Sequence, residues 1–108
     1  MIKIVLEDGR SRPKFYCDFC EEAIEKASAG LYLWKHARTQ KRGFVEGVPA
    51  DVFTGHKGVC DRGFCERMRW KRNDPMTMEL RVLPIYLGTN MGLDWRAARQ
   101  WAEDMGSF

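Results

Sequence analysis

The segments Cys17-Asp18-Phe19-Cys20 and His56-Lys57-Gly58-Val59-Cys60 decide how this chain is read. A Cys-x-x-Cys turn sets two thiols on one side of a tight loop. A His-x-x-x-Cys segment sets an imidazole and a thiol one helical turn apart. Together they offer three thiolates and one imidazole, the donor set that tetrahedral zinc takes in a closed structural site. Cys17, Cys20, His56 and Cys60 are therefore the expected metal ligands, and Zn2+ the expected cofactor. Pairing the four cysteines into two disulfides would need an oxidising compartment. Cys-x-x-Cys with a downstream His and Cys favours metal instead.

Cys65 is the rival for the fourth position. It follows Cys60 by five residues, which on a helix rotates it about 140° past a full turn, so the two thiols diverge. His56 is preferred on that ground, and Cys65 reads as a small apolar residue of the helix. The other histidine, His36, falls at a strand end or in a basic loop.

Outward from these segments, 108 residues fit one domain. It divides into a zinc-nucleated half over 15–72 and a helical C-terminal region over 73–108. A chain of this length can also bury a core of its own. No apolar run approaches the roughly 18 residues of a membrane span. The first seven residues lack the apolar region and cleavage site of a signal peptide, so a cytoplasmic location is expected.

Residues 2–7 read as a strand, Asp8-Gly9 as a turn, 10–13 as irregular chain and 14–16 as an extended approach to the first cysteines. Residues 21–27 carry helix formers for about two turns. The apolar segments 31–34 and 48–54 read as a β-hairpin joined by a long basic loop, 35–47. A helix is expected over 59–72, weakened at Gly63 by about 1 kcal/mol relative to Ala and stopped by Asn73-Asp74-Pro75. Residues 76–83 fit two periods. Met76, Met78, Leu80 and Val82 alternate as in a strand, whereas Met76, Leu80, Leu83 and Leu87 recur as in a helix. Helix is preferred for 76–91, kinked or started near Pro84. Asp94 is placed to N-cap a last helix, 95–105, with Trp95, Ala98, Ala102 and Met105 on one face and Gly106 at its C-terminal cap. The fold class is α+β: a small zinc-bound knuckle and β-hairpin, then a helix, then a helical C-terminal region.

A knuckle, a hairpin and a helix whose first turn completes the ligand set resemble the treble-clef zinc finger shared by LIM-like modules. The resemblance covers about residues 15–70. The chain departs from that pattern in its long gap between ligand pairs and in the His-x-x-x-Cys spacing of the second pair.

Four protein ligands leave no open position for a catalytic water. Glu21 and Glu22 read as solvated residues rather than as a general base. A deaminase signature, a Ser/His/Asp set and a glycine-rich phosphate loop are all missing from the sequence. The expectation is a non-enzymatic structural-zinc protein without a small-molecule substrate, acting as a protein-interaction module. Its motive is an apolar surplus: Trp95 and Trp101 lie about 240° apart on their helix, with Ile85, Tyr86, Leu87, Met91 and Met105 close in sequence. A protein partner or self-association would cover them.

The alternative is a nucleic-acid-binding zinc protein. Residues 35–72 carry ten basic and four acidic groups, a net +6 against +3 for the whole chain, so positive charge concentrates there. Lys35, Arg38, Lys41 and Arg42 on the loop would contact phosphates, as would Arg62, Arg69 and Arg72 on the helix. Trp70 and Phe44 would offer stacking surfaces.

Overall fold

A computed structural model describes residues 1–39 and 43–106. It is α+β. In chain order the elements are β1 (Ile2–Glu7), β2 (Arg10–Phe15), a 3-10 turn (Ala27–Ala29), β3 (Gly30–Trp34), β4 (Arg38–Thr39), β5 (Gly43–Phe44), β6 (Phe53–His56), α1 (Val59–Arg67), β7 (Met76–Glu79), α2 (Leu83–Asn90) and α3 (Trp95–Asp104). Among the described residues, the strands form the hairpins β1–β2 and β4–β5 and a three-stranded antiparallel sheet ordered β6-β3-β7.

The first hairpin corrects the expectation of irregular chain at 10–13. Asp8 and Gly9 both adopt positive φ, 51° and 75°, the pairing that a two-residue turn needs to match strand twist. Residues 10–15 therefore fold straight back along β1, with Glu7 opposite Arg10 and Ile2 opposite Phe15.

The central strand β3 supplies the core. Tyr32 faces Thr54 and Met78 on its neighbours, while Leu33 faces Phe53 and Thr77, because directly opposite residues share one side of a sheet. On the Tyr32 side, Cys17, Ile24, Tyr32 and Leu80 form a buried cluster, with Phe15, Phe19, Trp34, Cys60, Met78 and Leu83 packed around it. On the other side, Phe64 of α1 meets Phe53 at 4.8 Å and Trp70 at 5.5 Å between ring centroids.

Three further expectations are corrected. Residues 21–27 form no α-helix; Tyr16 bridges to Ala23 in extended chain, and Ile24 turns into the core. The helix expected over 59–72 stops at Arg67, and Arg69 takes a positive φ of 57°. The helix preferred over 76–91 is present only from Leu83, in line with a start near Pro84, while 76–79 is a strand paired with the buried strand β3. The two-residue alternation prevailed there because an open sheet edge was available to it. Pro84 sits in the first turn of α2, where its missing N–H costs nothing.

The last helix follows its sequence signals. The Asp94 carboxylate accepts from the Ala97 backbone N–H at 3.1 Å, and Gly106 has φ 73° just beyond the helix end.

Candidate metal centre

Three pieces of backbone converge on one point. The knuckle 17–20 contributes Cys17 and Cys20, the end of β6 contributes His56, and the first turn of α1 contributes Cys60. The donor atoms of these four side chains all lie within 4.8 Å of one another. A tetrahedral zinc with bonds of about 2.3 Å sets its sulfurs about 3.8 Å apart, so closing onto an ion requires side-chain shifts of less than about 1 Å. The group could hold a metal ion. Cys65 and His36 lie outside it.

The knuckle is held by its own backbone. The N–H groups of Phe19 and Cys20 both point at the Cys17 sulfur, each 3.4 Å away. Glu21 takes a positive φ of 66° and donates its N–H to the Cys17 carbonyl. The Asp18 carboxylate accepts the Thr54 backbone N–H at 2.7 Å and so ties the knuckle to β6. From the other side, the Arg67 guanidinium reaches the Asp18 and Phe19 carbonyls at 3.4 and 3.3 Å and lies over the Phe19 ring.

That ring explains Gly63. A Cβ built at this position would stand 2.5 Å from the Phe19 ring. The glycine lets the knuckle approach α1 closely enough for Cys60 to face Cys17 and Cys20, so the helix-weakening residue is a packing requirement.

The imidazole is oriented by a second contact. His56 Nε2 lies 3.2 Å from the Ala23 carbonyl, while Nδ1 lies 3.5 Å from the Cys20 sulfur. A carbonyl can only accept, so it selects the tautomer with hydrogen on Nε2 and leaves the Nδ1 lone pair facing the cysteines. This is the outer contact that a metal-ligating histidine ordinarily makes.

The thiols influence one another's protonation. Burial raises the Cys17 pKa, but backbone N–H groups, Cys20's first among them, outweigh it and bring the thiol down to about 6. Cys60 is pushed up to about 12, by burial and by the Cys17 and Cys20 sulfurs beside it. Crowded sulfurs cannot all ionise without a cation between them. A divalent ion would remove that conflict, since thiolates are the form that binds metal.

The expected anion contacts are dispersed. Lys35 and Arg38 both pair with Asp74, at 3.5 and 3.4 Å. Arg62 and Arg72 border a groove of about 390 Å³ together with Trp70 and Lys71. Arg69 is exposed and does not line that groove. Lys41 and Arg42 lie outside the described residues.

Sequence reasoning missed Asp18, Arg67, Gly63 and the Ala23 carbonyl as supports of the centre. Asp18 and Gly63 carried a usable signal, one by lying inside the Cys-x-x-Cys turn and the other as a lone glycine in a helix. Among the described residues, no helix is long and apolar enough to cross a membrane. Comparison of the chain with family models, curated proteins and solved structures finds no match.

Proposed function

We propose that this is a small, non-enzymatic structural-zinc protein whose metal fixes the knuckle 17–20 to β6 and α1 and holds out surfaces for a protein partner. The observation that carries the reading is the convergence of three thiols and one correctly oriented imidazole within 4.8 Å. Zinc is preferred among the metals because a donor set of three sulfurs and one nitrogen suits its tetrahedral, redox-silent chemistry. An all-sulfur set would suit an iron–sulfur cluster better. Four protein donors leave no position for a reacting water, which supports a structural role. The order of knuckle, hairpin and ligand-bearing helix supports a treble-clef-like arrangement.

The test is metal content with ligand substitutions. Purified protein should carry about one zinc per chain. Cys65→Ser should retain it, while Cys17→Ser and Cys60→Ser should lose it. Retention of zinc in Cys60→Ser with loss in Cys65→Ser would overturn the ligand assignment.

A second reading, nucleic-acid binding, is favoured by one observation: the groove bordered by Trp70 carries Arg62, Lys71 and Arg72. A stacking surface ringed by cations suits a single-stranded base and its phosphates. Titration of labelled single-stranded nucleic acid at two salt concentrations tests it. Binding that weakens steeply with salt supports this reading, and absence of binding at low salt removes it.

A further inference from the structure

Among the described residues, two apolar faces at separate places in this chain are left largely exposed. The first is on the β1–β2 hairpin. Ile2, Ile4 and Leu6 stand on one side of β1, opposite Phe15, Pro13 and Ser11 of β2. Phe15 packs against the core cluster, whereas Ile2, Ile4 and Leu6 are 63%, 71% and 74% exposed. A two-stranded hairpin is marginal in water unless its apolar face packs against something.

The second face is on α3. None of its residues is buried. Trp95, Ala98, Trp101, Ala102 and Met105 nevertheless fall within about 120° of the helix circumference, with the charged residues on the opposite side. At ten residues it is shorter than the roughly 12–15 below which an isolated helix is marginal even in favourable sequences. Trp95 rests against Gly88 of α2, and Ala98 and Ala102 are half-buried, but Trp101 and Met105 at the far end of the stripe are 67% and 64% exposed, so among the described residues the stripe is only partly covered.

The amount of exposed surface is of the size that a second copy would cover. The chain exposes 8644 Å². A compact monomer of its mass, 12.6 kDa, would expose about 6,200 Å². The excess of about 2,400 Å² is comparable to the roughly 1,000–2,500 Å² that each subunit of an obligate homodimer buries. A sheet face and an amphipathic helix are complementary layers, and both are largely exposed in the same chain.

We propose that a second copy of the chain covers them reciprocally, the apolar stripe of α3 in each copy lying on the Ile2–Ile4–Leu6 face of the other about a two-fold axis. Such an exchange covers both faces twice with one kind of contact. The proposal rests on the interaction-module reading and names its partner.

Light scattering on the zinc-loaded 108-residue chain tests it. The wild-type chain should have twice its single-chain mass. Ile4→Asp and Trp101→Ala should each raise the dimer dissociation constant at least about thirtyfold, as loss of a central anchor does, with zinc content unchanged. Leu6→Gln repeats the first arm if Ile4→Asp does not fold. An equal mixture of Ile4→Asp and Trp101→Ala chains should associate more tightly than either alone, because the mixed dimer regains one of its two intact contacts. A wild-type chain that stays monomeric up to about 1 mM, the weak end of specific association, overturns the proposal. So does a mixture that associates no better than its components. A zinc-loaded monomer refutes the dimer alone, whereas protein without zinc refutes the metal reading alone.

Discussion

The knuckle region and the C-terminal arm put their apolar residues to opposite ends. Around residues 17–24 and 54–64, a few side chains are fully enclosed, and the Cys17 sulfur, the Asp18 carboxylate and the His56 ring all have identified partners. In the arm, α2 is apolar on every side and α3 has a clean apolar stripe, yet the only buried residue of the two helices is Gly88. The difference teaches that periodicity states what a segment could bury, while convergence of long-range partners decides what it does bury. The knuckle has many such partners within its own chain, whereas among the described residues the arm has few, chiefly Leu83 against the core cluster and Trp95 against Gly88.

Breaking the knuckle should have the largest effect. Cys17→Ser or Cys60→Ser should lower stability by more than about 4 kcal/mol or abolish folding, the range seen when a metal or buried network is lost. Calorimetry of wild type and variant checks this. Gly63→Ala comes next. Helix propensity alone would make it stabilising by about 1 kcal/mol, but the new Cβ would stand 2.5 Å from the Phe19 ring, which lies under Arg67. Overpacking should prevail and cost about 1–3 kcal/mol, read from the urea midpoint.

The acid limb of stability should report a smaller term. The Lys71 backbone N–H holds the Asp74 carboxyl below its ordinary range, against the opposing effect of burial and with Lys35 and Arg38 assisting. Lys57, then Arg81, does the same for Glu79, again against burial. Both folded-state values are depressed, so their stabilisation is complete above the unfolded carboxylate range of about 4. It is lost as pH falls through the folded values. Asp74→Asn should therefore melt a few degrees lower at neutral pH and lose less stability on acidification than wild type does, which thermal melts between pH 2 and 7 would show. Parallel acid limbs would contradict it.

The smallest effect is expected in the arm. Removal of residues 94–108, assayed in dilute monomer, should change the stability of the knuckle region by less than about 0.5 kcal/mol. A larger loss would mean that the arm supports the core.

Much of this contrast is legible in the sequence. Cysteine and histidine spacing is a local property, and it groups Cys17, Cys20, His56 and Cys60 as one ligand set. Asp94, Gly106 and Pro84 act within a turn of their own position, so the last helix and the start of α2 are legible too. The errors fall where a distant partner decides. Residues 10–15 became a strand because β1 lay opposite, and 76–79 because β3 had an open edge. The helix formers of 21–27 yielded because Ile24 was drawn into the core and Ala23 into a bridge with Tyr16. Spacing alone sets Trp95 and Trp101 on divergent faces, yet Ala98, Ala102 and Met105 fill the arc between them into one stripe. The sequence holds that stripe, but not how little of it the described residues cover.

X-ray absorption at the zinc edge, on protein purified without added metal, tests the central claim most directly. The assignment of Cys17, Cys20, His56 and Cys60 predicts three sulfurs at about 2.3 Å and one imidazole nitrogen at about 2.0 Å. Cys65→Ser should leave that spectrum unchanged, and His56→Ala should replace its imidazole signature. Four sulfurs, or an imidazole signature that survives His56→Ala, would contradict the assignment.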